Sequence, residues 1–184
     1  MRKQLALSIV ALALLGDVSA TSHSSHQRAA SPPNRPNFSG AWTGIPPGTP
    51  EQARTPGELV ATIDWSSPVT LTQTETSLTV EYRGYDRSHA LRNFVYKLDG
   101  TTTTNVLTGS GDPQGRTSSA AWEGMTLVLT DAVDWPGGAA GTTQRRVDRK
   151  ILSLEFPDIM RVEVSLTLGD RNSAPKVVRY RRTR

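Results

Sequence analysis

The residues able to do chemistry are few and scattered. A serine nucleophile needs a base within hydrogen-bond reach and a further group to orient that base. The chain has no G-x-S-x-G stretch, and His89, in the polar turn YDRSHALRN, lacks the rest of such a constellation. The other two histidines, His23 and His26, stand three apart in a segment rich in serine and proline, and there is no cysteine, so no structural zinc site is expected. Asp131 and Asp134 flank a short apolar stretch, but glycosidase-type acid/base work depends on a carboxyl separation of about 5 to 9 Å, which spacing in sequence does not establish. They are expected as solvated loop acids. The chain therefore reads as non-catalytic, with no metal and no cofactor.

The basic residues concentrate in two places, Arg145, Arg146, Arg149 and Lys150 in one run and Lys176, Arg179, Arg181, Arg182 and Arg184 in the last. They are expected on exposed faces and edge strands, where charge keeps a sheet soluble and blocks edge-to-edge pairing. Such a surface could also attract an anionic ligand. Nucleic acid is not expected as a partner, since no aromatic-basic recognition motif occurs. Four tryptophans are many for a chain with three phenylalanines. Trp135, beside Pro136-Gly137-Gly138, and Trp65, in IDWSSP, are expected in loops at a mouth, with Tyr82 and Tyr96 as further ligand-contact candidates, because aromatics commonly line pockets.

These side chains must be carried by strands. From Asn37 onward apolar and polar residues alternate at period two in short runs parted by glycine, proline and Asp-Gly or Glu-Gly pairs, which is the hairpin signal. Val69 and Leu71 share a face, as do Leu78, Val80 and Tyr82, which predicts one hairpin. Asp99-Gly100 suits a tight primed turn and predicts a second, and Glu123-Gly124 a third. RVEVSLTL is the clearest strand, with Val162, Val164, Leu166 and Leu168 on one side; TQRRVDRKILSLEF is its long partner, and KVVRYRRTR closes the chain. The pattern predicts an all-β fold, one antiparallel meander of about 8 to 10 strands.

The first twenty residues read as an export signal: Arg2 and Lys3, an apolar run from Leu5 to Leu15, then Val18-Ser19-Ala20 before a cut. Cleavage would remove Arg2, Lys3 and Asp17 and lower the formal net charge from +4 to +3. No transmembrane segment is expected afterwards, because the apolar run is about half the roughly 20 residues that span a bilayer. Residues 21–36 read as a disordered Ser/Pro-rich tail and residues 37–184 as the folded domain. A secreted or periplasmic location follows. Without cysteine, disulfides cannot contribute to stability.

NFSGAW resembles the first-strand Gly-x-Trp signature of the calycins, the lipocalin and fatty-acid-binding barrels, and TDA at Thr130–Ala132 is similar to part of the lipocalin Thr-Asp-Tyr turn. The resemblance implies a closed or partly open barrel in which Gly40 and Trp42 form an end plug covered by an arginine of a late strand: Arg182 if Val178 and Tyr180 face inward, Arg179 or Arg181 if Val177 does. The stretch from Asn37 to Tyr180 also looks like exported bacterial proteins that open on NFSGxW and continue with LDG and WEG hairpins. Together these imply an exported binding protein holding a small apolar, amphipathic or anionic ligand in the barrel. The alternative is a protein-interaction module, an exported protease inhibitor or envelope-assembly factor with a protein partner.

Overall fold

The computed structural model describes residues 35–47, 57–84, 91–106, 115–136 and 142–183, all within one compact unit, Asn34–Arg184. The proposed signal, most of the tail, His23, His26 and His89 lie outside the described residues. Among the described residues there is no helix, and so none long and apolar enough to cross a membrane.

Among the described residues eleven strands form one antiparallel sheet. They are β1 (Gly40–Ile45), β2 (Val69–Gln73), β3 (Ser77–Arg83), β4 (Leu91–Lys97), β5 (Thr103–Val106), β6 (Gly115–Glu123), β7 (Thr126–Pro136), β8 (Thr143–Phe156), β9 (Ile159–Leu168), the two-residue β10 (Arg171–Asn172) and β11 (Lys176–Arg182). The order β4-β3-β2-β1-β11-β9-β8-β7-β6-β5 is a meander in which β1 and β11 pair with each other, while the short β10 folds back on β9. The result is a nearly closed barrel.

Alternation decides what faces inward. In β9, Met160, Val162, Val164 and Leu166 are buried, and in β3 Leu78, Val80 and Tyr82. The register then carries the inward face from strand to strand, Leu152↔Val162, Val162↔Val178, Met160↔Tyr180. Because Val178 and Tyr180 share the inner face, Arg182 does too, and its guanidinium carbon stands 4.5 Å from the Trp42 ring centroid. Gly40 has φ 137°, and a Cβ there would come within 3.5 Å of the Arg182 side chain, so the arginine lies across both residues of the motif. Trp42 is fully buried and its indole N–H donates to the Phe38 carbonyl at 2.8 Å. Phe38 in turn stacks on Trp122, and the Arg35 guanidinium carbon stands 5.1 Å from the Trp122 ring centroid. This geometry is compatible with a calycin-like fold.

The hairpins at Glu75-Thr76 and Glu123-Gly124 form as expected, joining β2 to β3 and β6 to β7. The Asp99-Gly100 turn also forms, with φ 84° at Gly100, but the strands on either side make no backbone ladder. In its place the Asn105 side chain accepts from the Val95 N–H at 2.9 Å and donates to the Val95 carbonyl at 3.0 Å. A side-chain amide interposed between two strands holds them wider apart than the roughly 4.8 Å of a ladder, which is why a sequence-perfect hairpin becomes the one seam of the barrel. Thr130–Ala132, likened to a lipocalin turn, lies within β7.

Asn105→Ala should leave two Val95 backbone groups without partners, costing about 1 to 3 kcal/mol. Urea denaturation should show that loss, with accelerated amide exchange at Val95, whereas Val106→Ala on the exposed side of the same strand should change stability little.

Candidate functional site

The barrel interior is apolar at the end bearing the β6–β7 and β8–β9 turns and polar toward the other end. On β7, Asp131 follows Leu127 and Leu129 on the inner face; on β8, Asp148 and Lys150 precede Leu152 on it. Register sets Ser118 of β6 against Asp131. From β4 comes Tyr96, and from the irregular segment Gly57–Pro68, which connects β1 to β2, come Asp64 and Trp65.

Asp131 is 1 % exposed and Lys150 2 %. The Lys150 Nζ lies 3.0 Å from Asp131 Oδ2 and 3.5 Å from Asp64 Oδ1. Tyr96 donates to both Asp131 oxygens, at 2.9 and 3.1 Å, and Ser118 Oγ donates to Oδ1 at 2.6 Å. Asp64 Oδ2 accepts from Tyr82 Oη at 3.1 Å and from Arg116 Nη1 at 3.2 Å. Arg146 grips Asp148 with two bonds of 2.9 Å. Three carboxylates thus meet three cations. The aromatic wall consists of Trp65, whose ring centroid is 6.0 Å from Nζ, and the stacked run Tyr82–Phe94–Tyr96, with Arg116 over Phe94 at 5.7 Å.

Burial by itself would push the Lys150 ammonium down, but the carboxylates of Asp64, Asp131 and Asp148 outweigh it and hold Lys150 above its ordinary value. Burial likewise works to raise Asp64, whose side chain is 27 % exposed, and Lys150 and Arg116 reverse it, so Asp64 stays below the usual carboxylate range. Tyr82 and Tyr96 are both raised, first by burial and then by the neighbouring carboxylates, Asp64 for Tyr82 and chiefly Asp131 for Tyr96. The set is charge-balanced, internally bonded and closed, so its atoms are turned toward one another and not toward an incoming substrate.

Of the predicted ligand contacts, Trp65, Tyr82 and Tyr96 come together around this network, all buried. Trp135 does not join them: it lies on β7, not in a loop, 45 % exposed, with the Arg146 guanidinium 5.7 Å from its ring centroid. Of the candidate plug arginines only Arg182 covers Trp42; Arg179 pairs with Glu155 on the outside at 2.9 Å, and Arg181 is exposed. Asp131 is no solvated loop acid, and its odd spacing from Asp134 puts the latter on the outer face, 3.7 Å from Arg145. Neither basic run lies on an edge strand, since β8 and β11 are both flanked on two sides, and Lys150 points inward. Among the described residues no group of three or more acidic or histidine side chains is arranged to hold a metal.

The inward cations and Asp64 escape a reading that equates charge with exposure. A signal was nevertheless present: Asp148 and Lys150 are in step, at period two, with Leu152, and Asp131 with Leu127 and Leu129. Asp64 carries no such mark, because its place depends on a connection without periodicity.

At the polar end a groove of about 520 Å³ opens between the Ser66–Pro68 bend and the ends of β3 and β4, lined by Thr70, Tyr82, Arg83, Gly84 and Leu91 among others. Tyr82 is common to the two, lining the groove and donating its hydroxyl to Asp64 in the interior. A scan against protein-family models finds no match, and no curated protein matches the chain.

The perturbed groups set the pH dependence. Asp64, depressed when folded, contributes stability above the unfolded carboxylate value near 4 that is lost as pH falls. Tyr82 and Tyr96, raised when folded, contribute stability below about 10 that is lost as pH rises past it. Urea midpoints measured from pH 3 to 11 should fall at both ends; Asp64→Asn should flatten the acid limb and Tyr82→Phe reduce the alkaline one.

Proposed function

We propose that the protein is an exported, non-catalytic binding protein whose ligand, a small amphipathic molecule, is taken at the rim of the barrel. The observation that carries this is the rim groove. Its volume falls within the roughly 300 to 1,000 Å³ of small-molecule sites, and it combines apolar wall from Pro68 and Leu91 with polar groups from Ser66, Ser67, Glu81 and Arg83. The deep interior, where a lipocalin-like barrel would hold an apolar ligand, is occupied by Trp65, Tyr82, Tyr96 and the ion pairs, which favours the rim over the centre. A non-catalytic role is supported by the titratable groups being closed into their own network.

Leu91 is 58 % exposed, so its replacement does not disturb the core. Titration with dodecanoate, followed by native mass spectrometry, should show saturable one-to-one binding that Leu91→Asp weakens about tenfold, the equivalent of roughly 1.4 kcal/mol of lost apolar contact and added repulsion. Absence of any saturable binding, together with recovery of a stoichiometric protein partner from envelope extract, would instead support the interaction-module reading. Export is checked separately: the protein recovered from the periplasmic or culture fraction should begin at Thr21.

A further inference from the structure

The contacts of Asp131 are those of a carboxyl group positioned for reaction as well as for pairing. Oδ2 faces the Lys150 amine at 3.0 Å, Oδ1 receives the Ser118 hydroxyl at 2.6 Å, and the Tyr96 hydroxyl is shared between the two oxygens, 2.9 Å from Oδ2 and 3.1 Å from Oδ1. A second carboxyl approaches the same nitrogen: Asp64 Oδ1 is 3.5 Å from Nζ, is buried, and makes no hydrogen bond. Nucleophile, electrophile, oxyanion donors and a free proton acceptor therefore meet in one water-poor space walled by Trp65 and Phe94.

We propose that Lys150 and Asp131 become joined by an isopeptide bond between β7 and β8, with Asp64 as proton carrier. A proton first crosses from Nζ to Asp131 Oδ2, giving a neutral amine beside a neutral acid; burial works toward this charge state and the neighbouring carboxylates against it, so it is the minor, reacting form of a pair that rests ionised. The Nζ lone pair attacks Asp131 Cγ, forming the C–N bond as the Cγ–Oδ1 π pair moves onto Oδ1, where the Ser118 and Tyr96 hydroxyls hold the developing charge. Asp64 takes a second proton from Nζ and delivers it to Oδ2, which departs as water as the Cγ–Oδ1 double bond re-forms. Amine plus acid yields amide plus one water, Asp64 ends as it began, and no oxidant, metal or activating group is consumed.

The charge balance of the interior supports the product. Before reaction Asp64, Asp131 and Asp148 face Lys150, Arg116 and Arg146; afterwards Asp64 keeps Arg116 at 3.2 Å and Asp148 keeps Arg146 at 2.9 Å. One ion pair disappears without leaving a buried charge alone. The link would also staple two strands in a chain that has no cysteine with which to do so.

Intact mass spectrometry of the purified full chain, its N-terminus assigned in the same spectrum, tests this directly. The expected mass is one water below that of the sequence. Trypsin should then fail to cut after Lys150 and release a branched peptide joining Thr117–Arg145 to Lys150–Arg161. Lys150→Arg, which keeps the charge, should restore full mass, as should Asp64→Asn in protein that retains its strand circular dichroism. Full mass in the unaltered protein, or water loss without the branched peptide, overturns the bond. Water loss that persists in Asp64→Asn overturns the role of Asp64.

Discussion

Three buried or half-buried carboxylates and three cations inside a barrel of this size constrain everything around them. A charge taken out of water is tolerated only when it is paired and hydrogen-bonded, and here Asp131 satisfies that condition with Lys150, Ser118 and Tyr96, Asp148 with Arg146, and Asp64 with Arg116 and Tyr82. The partners come from β3, β4, β6, β7, β8 and the segment between β1 and β2. No one of these elements can shift without stranding a charge, so the network sets the relative positions of most of the wall.

That constraint divides the molecule into two ends with different tasks. At the apolar end, Arg182 over Trp42 and the Phe38–Trp122 stack close the bottom by contact and cation–π attraction, worth on the order of 0.5 to 2 kcal/mol for the arginine. At the polar end, the Gly57–Pro68 segment brings Asp64 and Trp65 in from above and leaves a groove beside it. The interior is thereby taken up by internal pairing, and the open space lies outside it at the rim. Tyr82 belongs to both, its hydroxyl on Asp64 and the residue itself lining the groove, so groove and charge network are adjacent.

The seam between β4 and β5 shows how one residue can override a pattern. Alternation, a good turn and β-favouring threonines all argue for a ladder there, and Asn105 is only one position among them. Yet an amide carries both a donor and an acceptor, so it can stand in for the opposing backbone, and it does so at Val95. Similarly, Lys150 was legible as an inward residue from its step with Leu152, but the weight given to charge as a mark of exposure concealed it. Trp65, Tyr82 and Tyr96 were legible as aromatics of one neighbourhood, although they form a packed wall and not an open lining.

Period-two alternation in the sequence determined the strands, their inward faces and the all-β class, because that pattern acts through nearest neighbours along the chain. The resemblance of NFSGAW to the calycin signature implied that one of three late arginines covers Trp42. Only the tertiary structure chose Arg182, since the choice rests on the register between strands 140 residues apart. The same holds for the meeting of Asp64, Asp131 and Lys150: each lies on a separate element, and the distances that give them chemistry arise only when the sheet curls round and the β1–β2 connection descends into it.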